Sequence, residues 1–220
     1  MDAYTEPDPE RAALLTIDVQ RDFVLSRAGT DTSAEAHGIP ETERLVEAFR
    51  EAGAPIVHVV RLYETDGANV DRSRRRTIES GAELVRPGTD GAELVEELLP
   101  ADVVGADEPV LDADTLLDGG FQELGPGEWV VYKPRWGAFY DTDLEDFLRE
   151  RDVNTVVVCG CNFPNCPRTT VYEASERDFR VAFVEDATSG TYGRGLAELE
   201  NVGVRVDHAD GTIEWLEGSG

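Results

Sequence analysis

Three residues with complementary chemistry stand where apolar segments of the sequence end: Asp18, Lys133 and Cys166. A carboxylate can accept the proton of a thiol, and a nearby ammonium group favours the charged forms of both. A thiolate can attack an amide or ureido carbonyl carbon and form a thioester, which water then hydrolyses. These residues therefore predict a cysteine-dependent hydrolase that cleaves a C–N bond of a small amide, carbamoyl or ureido compound.

Each of the three also has an ordinary structural explanation when it is taken alone. Asp18 could cap a turn, Lys133 could be a solvated side chain, and Cys166 could be a buried, inert packing residue. Lys133, however, is the only lysine in a chain whose other basic side chains are arginine. Retention of one ammonium group predicts a position that needs a compact charge instead of a planar guanidinium.

The segment from Gly160 to Thr170 runs from a predicted strand through a Gly-, Asn- and Pro-rich turn into a predicted helix. Pro167 suits the first turn of that helix and places Cys166 at its N-terminus. The free N–H groups and the dipole there should lower the pKa of a thiol and hold an oxyanion. We expect the N–H groups of Asn162 and Cys166 to form that oxyanion hole.

Short, nearly continuous apolar runs alternate with helical patterns along the chain. Such runs are typical of parallel strands covered on both faces, so the sequence predicts a three-layer α/β/α, doubly wound sheet. In sheets of this kind, ligands bind beyond the carboxyl ends of the strands, and the three residues lie there. The predicted strands are residues 12–17, 54–60, 129–132, 154–159, 180–184 and 203–206, and the predicted helices 41–52, 92–99, 141–151 and 167–178.

The composition of the chain argues against several classes of protein. With 46 Asp and Glu against 20 Lys and Arg, the net charge is −26, which disfavours binding to a nucleic-acid backbone. No apolar run is long enough for a membrane span, and the N-terminus is unlike a signal peptide, so we expect a cytoplasmic protein with no membrane partner. Abundant carboxylates with almost no lysine predict a protein adapted to high salt.

Cys159, Cys161 and Cys166 lie within eight residues. An odd number at this spacing is a poor disulfide framework and fits a reducing compartment. A zinc site is weakly supported because His37, His58 and the third histidine are scattered. We therefore expect no cofactor and no metal, with Cys159 and Cys161 serving as packing residues.

Residues 17–23, 133–139 and 160–170 resemble the isochorismatase-like cysteine hydrolase superfamily, and the resemblance extends over residues 12–206. That superfamily includes nicotinamidase, N-carbamoylsarcosine amidase, and ureidoacrylate and biuret hydrolases. The resemblance implies that Asp18, Lys133 and Cys166 are the catalytic triad. It also implies six parallel strands in the order 3-2-1-4-5-6 and a non-proline cis peptide between Cys161 and Asn162. One domain would span residues 1–220, with a core at 12–207 and an irregular lid or oligomer-contact segment at 64–128.

The sequence also departs from the family pattern. Residues 162–165 read Asn-Phe-Pro-Asn where the family usually has a small apolar residue and then Thr-Asn or Thr-Asp, and Pro167 replaces a common valine. Nicotinamidases hold a metal through an Asp and several His after the second strand, whereas this chain has Arg61-Leu62-Tyr63-Glu64 there. These differences argue against a metal and against nicotinamide as the substrate.

We expect a small-molecule substrate and a homodimer or homotetramer. An arginine at the strand ends could bind a substrate carboxylate or form a structural ion pair, and the cluster at residues 72–76 could attract an anion or contact a partner subunit. Alternatives are hydrolysis of another acyl or vinyl-ether substrate, or a non-catalytic thiol- or metal-binding protein. The expected substrate-binding residues are Phe23, Arg61, Tyr63, Arg135, Trp136, Phe139, Asn162 and Phe163.

Overall fold

A computed structural model describes residues 2–25, 38–105 and 109–218. Its centre is one sheet whose inner strands are apolar and buried on both faces, as in the strand Ala12–Ile17, where every residue is buried. Such strands need a covering layer on each side. The strands are β1 (Ala12–Ile17), β2 (Ile56–Val60), β3 (Phe121–Gly125), β4 (Glu128–Tyr132), β5 (Thr155–Gly160), β6 (Arg180–Thr188) and β7 (Arg205–Asp207).

The strand order is β3-β4-β2-β1-β5-β6-β7. The six predicted strands lie side by side in the predicted order and are parallel, which confirms the fold class. The predicted count of six was one short, because β3 pairs antiparallel with β4 at the edge of the sheet. Of the five residues of this edge strand only Leu124 is buried, and its sequence, Phe-Gln-Glu-Leu-Gly, lacks the continuous apolar run of the inner strands.

Helices cover both faces of the sheet and complete three layers. One apolar cluster joins the sheet to α2 (Ile39–Ala52) and α8 (Ala209–Glu217). The opposite cluster joins it to α5 (Leu144–Arg149), α6 (Cys166–Ser175) and α7 (Gly193–Glu200). The remaining helices are α1 (Arg21–Val24), α3 (Arg72–Glu79) and α4 (Ala113–Leu117). Within the described residues, no helix is both long and apolar enough to cross a bilayer.

The segment 64–128 packs a third apolar cluster against the β2–β4 side of the sheet. The predicted helix at 92–99 was wrong: two short 3-10 turns, Asp90–Ala92 and Glu96–Leu98, stand there instead. Between them Leu94 forms an antiparallel bridge with Gln20, whose side-chain amide also donates to the Ala92 carbonyl at 2.6 Å. These contacts with Gln20, which lies outside residues 92–99, take the place of hydrogen bonds within a helix. Its role as a lid or subunit contact stays a prediction.

A buried polar network ties α2 to the sheet. Glu128 at the start of β4 accepts two hydrogen bonds from the Arg50 guanidinium, both at 2.7 Å, and lies 2.8 Å from His58 Nε2. The other ring nitrogen of His58 is 2.7 Å from the Thr16 hydroxyl. Burial alone would raise the pKa of Glu128, but the hydrogen bonds from His58 and Arg50 lower it to about 2. Glu128 is therefore held as a carboxylate inside the fold.

Candidate active site

The carboxyl edge of the sheet brings Lys133 and Asp18 into direct contact. Lys133 Nζ donates to Asp18 Oδ2 at 2.9 Å and to the Arg135 carbonyl at 3.3 Å. Since β2 lies between β1 and β4, the long lysine side chain has to cross one strand to make this contact. The exposed fractions of Lys133 and Asp18 are 0% and 3%, so the pair is shielded from water.

Asp18 has a backbone conformation that few residues other than glycine adopt. Its φ is 55°, in the left-handed region, directly after β1. Its N–H donates to the Val59 carbonyl at 2.9 Å, which fixes the chain in that conformation. Such strain persists where the surroundings enforce it and is frequent at functional sites. One carboxylate oxygen holds Lys133, while Oδ1 has no hydrogen-bond partner in the part of the chain that the structure describes.

Cys166 is the first residue of α6 and lines the same cavity as Asp18. The turn that leads to it begins at Gly160, whose φ of 119° is open to glycine but not to other residues. A Cβ at Gly160 would stand 2.2 Å from the Ile17 carbonyl oxygen. The absence of a side chain therefore lets β5 approach β1 closely and brings Cys166 near Asp18.

The loop between Gly160 and Cys166 leaves two N–H groups available. Phe163 N–H donates to the Ser189 carbonyl at 2.8 Å, and Ser189 N–H donates to the Gly160 carbonyl at 3.1 Å. Among the described residues, neither the Asn162 N–H nor the Cys166 N–H donates to a backbone carbonyl. The expected cis peptide was wrong, because every peptide bond of the described chain is trans, including Cys161–Asn162.

The pKa of the Cys166 thiol differs from the expected one. Burial and the nearby Asp18 carboxylate together raise the pKa of Cys166 to about 12, while Lys133 and Arg61 oppose the rise. The expected lowering of this pKa was therefore wrong for the resting protein, since burial and a neighbouring anion both favour the neutral thiol. The resting thiol is protonated at neutral pH, with a carboxylate beside it that can accept its proton.

The cavity at this point measures about 20 Å³, room for about one water molecule. It contains two expected contact residues, Phe23 and Asn162. Three further lining residues were not expected at the site: Arg74, Ser189 and Cys161, which was expected only to pack. Ser189 follows β6 and has a buried hydroxyl with no hydrogen-bond partner among the described residues. The full lining is Asp18, Phe23, Arg74, Cys161, Asn162, Cys166 and Ser189.

The other expected contact residues lie elsewhere. Arg61 and Tyr63 are buried together, with Arg61 Nη2 donating to Asp71 Oδ2 at 2.8 Å. Phe139 and Phe163 belong to the apolar core on the α6 side of the sheet. Arg135 and Trp136 line a separate surface groove of about 350 Å³.

The sequence predicted a cluster of arginines at residues 72–76 but did not show that Arg74 is the one that reaches the cavity. Arg74 lies on α3 within the run Arg72-Ser73-Arg74-Arg75-Arg76, and only the helix phase shows which arginine turns inward. In the structure the Arg74 guanidinium lies 5.1 Å from the centre of the Phe23 ring. Ser189 gave no signal, since a serine after a strand is common in loops.

The positions after β2 do not suit a metal. Arg61 is a buried cation already paired with Asp71, and a guanidinium cannot ligate a metal ion. In the described ranges no group of three or more His, Cys, Asp or Glu residues converges as metal ligands would.

Comparisons with known proteins agree with this architecture. A model of the isochorismatase domain matches residues 12–116 and 105–197. The chain is 31% identical over 213 residues to a probable inactive nicotinamidase of Arabidopsis thaliana, covering 93% of this chain and 94% of the relative. It is 28% identical over 215 residues to a ureidoacrylate amidohydrolase of Methylobacterium radiotolerans, covering 89% and 74%. The crystal structure of an isochorismatase family protein from Desulfovibrio vulgaris superposes with a TM-score of 0.75 at 30% identity, covering 94% and 98%.

Proposed function

The chain belongs to the isochorismatase family, and we propose that it is a cysteine hydrolase that cleaves the C–N bond of a small amide, carbamoyl or ureido compound. The observation that carries the proposal is the buried contact between Lys133 and Asp18, together with the cavity that Asp18 and Cys166 both line. A carboxylate, an ammonium and a thiol in contact are the groups that acyl transfer through a thioester needs.

In the first half of the reaction, Asp18 accepts the thiol proton through Oδ1 as Cys166 Sγ attacks the carbonyl carbon. Lys133 orients Asp18 by donating a hydrogen bond to Oδ2. The C–S bond forms, and the carbonyl oxygen becomes an oxyanion held by the N–H groups of Asn162 and Cys166. Because Cys166 is protonated at rest, its deprotonation is coupled to substrate attack, as general-base catalysis requires.

In the second half, the C–N bond breaks as the leaving nitrogen takes the proton from Asp18. Ammonia or an amine departs and leaves a thioester on Cys166. Asp18 then accepts a proton from water, whose oxygen attacks the thioester carbon. The C–S bond breaks, the proton returns to sulfur, and a carboxylic or carbamic acid is released.

The relative from Arabidopsis thaliana is named a probable inactive nicotinamidase, which makes a non-catalytic binding protein the second candidate. In this chain the proposed nucleophile, base and counter-charge are all present and adjacent. The name of the relative from Methylobacterium radiotolerans supports ureido compounds as the first substrates to test. Activity measurements separate the two candidates.

The test is ammonia release from a panel of ureido acids, carbamoyl amino acids and primary amides at high salt. We expect turnover of at least one compound by the wild type and none by Cys166→Ala with an unchanged melting temperature. Cys159→Ala is the matched control, because Cys159 is fully buried in β5 and does not line the cavity. Absence of turnover across the panel, or equal activity of Cys166→Ala, would contradict the proposal.

A further inference from the structure

We propose that Arg74 is a specificity residue that binds an anionic group of the substrate, so that carboxylate-bearing amides or ureido acids are preferred over neutral ones. This inference rests on the proposed function, because it places the anion beside Arg74, which lines one cavity with Cys166. Arg74 is partly buried and lines that cavity with Asp18, Phe23 and Cys166. No other arginine lines it in the described part of the chain.

The guanidinium of Arg74 has no carboxylate partner within the described ranges. Its one hydrogen bond is donated from Nη1 to the Tyr63 hydroxyl at 3.1 Å. Most arginines of this acidic chain that are as well buried pair with an Asp or Glu, as Arg50 does with Glu128 and Arg61 with Asp71. Burial lowers the pKa of Arg74, but the Asp18 carboxylate, which lines the same cavity, raises it through space without forming an ion pair. A partly buried guanidinium without an ion-pair partner is suited to a charge that the substrate brings.

Asp71, which contacts the same Tyr63 hydroxyl as Arg74, already accepts hydrogen bonds on both of its carboxylate oxygens. Its Oδ2 accepts from Arg61 Nη2 at 2.8 Å and from the Tyr63 hydroxyl at 3.1 Å. Its Oδ1 accepts from the Ser73 hydroxyl. Asp71 therefore holds Arg61 and Tyr63 in place and leaves the charge of Arg74 available.

Tyr63 cannot supply the missing negative charge. Burial raises the pKa of its hydroxyl to about 12 despite the neighbouring arginines, so Tyr63 stays neutral at physiological pH. It accepts hydrogen bonds from both Arg61 and Arg74, each at 3.1 Å, and thereby orients the Arg74 guanidinium. The planar fork remains open to bind a carboxylate through two parallel hydrogen bonds.

Phe23 completes this side of the cavity. The Arg74 guanidinium carbon lies 5.1 Å from the centre of its ring, a distance within the range of a cation–π contact. The ring restricts the guanidinium and excludes water from one of its faces. A fixed, partly dehydrated guanidinium binds a carboxylate more tightly than a solvated one, and it disfavours a neutral group that leaves it unpaired.

The test compares pairs of substrates in which an uncharged ethyl group replaces the carboxylate. Ureidoacetate is paired with propylurea, and succinamate with pentanamide, with ammonia release as the readout at constant chloride. We expect the wild type to prefer the anionic member of a pair by about 100-fold in kcat/KM. Arg74→Gln should remove that preference by lowering turnover of the anionic member only, and Arg74→Lys should restore part of it.

Arg76→Gln is the matched control, since it makes the same charge change on an exposed position of the same helix. It should leave the preference within about threefold of the wild type. Equal loss for both members of a pair in Arg74→Gln would indicate a structural role and overturn the inference. A wild type without charge preference would overturn it as well.

A binding measurement separates this inference from the proposed function. Ureidoacetate is titrated into Cys166→Ala and into Cys166→Ala/Arg74→Gln by calorimetry. Tighter binding to the protein that retains Arg74 supports the inference even if the wild type hydrolyses nothing, in which case only the proposed function fails. Equal affinity of the two proteins, or binding to neither, overturns the inference while any measured turnover still stands.

Discussion

Lys133 occupies a fully buried position in which its ammonium group contacts one carboxylate oxygen and one carbonyl oxygen. An isolated charge at such depth is strongly unfavourable, so the lysine and Asp18 depend on each other. This mutual dependence explains why a chain that otherwise uses arginine has a lysine here: a compact ammonium fits between two oxygens where a planar fork needs more room.

We expect both Lys133→Arg and Lys133→Met to lower kcat by about 100-fold or more, because each disturbs the orientation of Asp18. Lys133→Met leaves Asp18 without its counter-charge, while Lys133→Arg keeps the charge but overfills the site. Ammonia release gives the rate, and circular dichroism melting shows whether the variants fold. Full activity in Lys133→Met would show that the ammonium has no role in turnover.

The protonated resting thiol gives a second prediction at this scale. Because burial and the Asp18 carboxylate raise the pKa of Cys166 to about 12, its alkylation by iodoacetamide should accelerate steadily from about pH 7 to about pH 9 without a plateau. Peptide mass mapping identifies the modified cysteine, with fully buried Cys159 as the slow reference. A plateau below about pH 8 would show a preformed thiolate and contradict the general-base account.

At this scale the sequence predicted residue types better than environments. The apolar runs predicted that Asp18, Lys133 and Cys166 lie at one edge of the sheet, since the ends of parallel strands converge there. The sequence did not predict the burial that raises the pKa of Cys166 or the helix phase that turns Arg74 inward. Both properties depend on packing between segments that are distant along the chain.

At the scale of elements, the close approach of β5 to β1 is what positions Cys166, and Gly160 permits it. A Cβ there would meet the Ile17 carbonyl oxygen and the backbone would need a φ that other residues avoid. The continuous apolar runs predicted the inner strands because burial on both faces demands them. The edge strand β3 and the bridged turns near Leu94 depend on partners outside their own segments, so local patterns could not predict them.

Gly160→Ala should destabilise the protein by about 3 kcal/mol or more and abolish activity, since it combines a steric clash with backbone strain. Gly53→Ala is the matched control: Gly53 also has a positive φ, but no atom lies within 4 Å of the position its Cβ would take. It should cost only about 1–2 kcal/mol. Urea unfolding measures both, and similar costs for the two variants would contradict the role assigned to Gly160.

The Glu128 network gives a prediction on pH. Its pKa falls from an ordinary 4.5 to about 2 in the folded protein, so the stabilisation is present above about pH 4.5 and is lost as pH falls toward about 2. Glu128→Gln should cost about 3 kcal/mol or more near neutrality, and the difference from the wild type should shrink in acid. Glu123→Gln, at an exposed position of β3, is the control. A difference in stability between Glu128→Gln and the wild type that does not change with pH would contradict the role of the network.

At the scale of the whole molecule, the net charge of −26 sets the solution behaviour. Repulsion among surface carboxylates opposes the compact state, and added salt screens it. We expect the melting temperature to rise between about 0.1 M and about 2 M KCl, with most of the rise at the lower end, where the screening length changes most. A melting temperature that is flat or falls over this range would contradict adaptation to high salt.

The fold itself does not determine the reaction, since one architecture supports many chemistries. Within one family, relatives of this chain are called a probable inactive nicotinamidase and a ureidoacrylate amidohydrolase. The proposed activity depends on the nucleophile, the base and the counter-charge, so the decisive observation has to be made on the nucleophile.

The most direct test is the intact mass of the enzyme quenched in acid during turnover of its best amide or ureido substrate. We predict an adduct equal in mass to the acyl or carbamoyl group, located on the peptide that contains Cys166 and absent from Cys166→Ala. Turnover that proceeds without any adduct, and at the same rate in Cys166→Ala, would contradict the proposed mechanism.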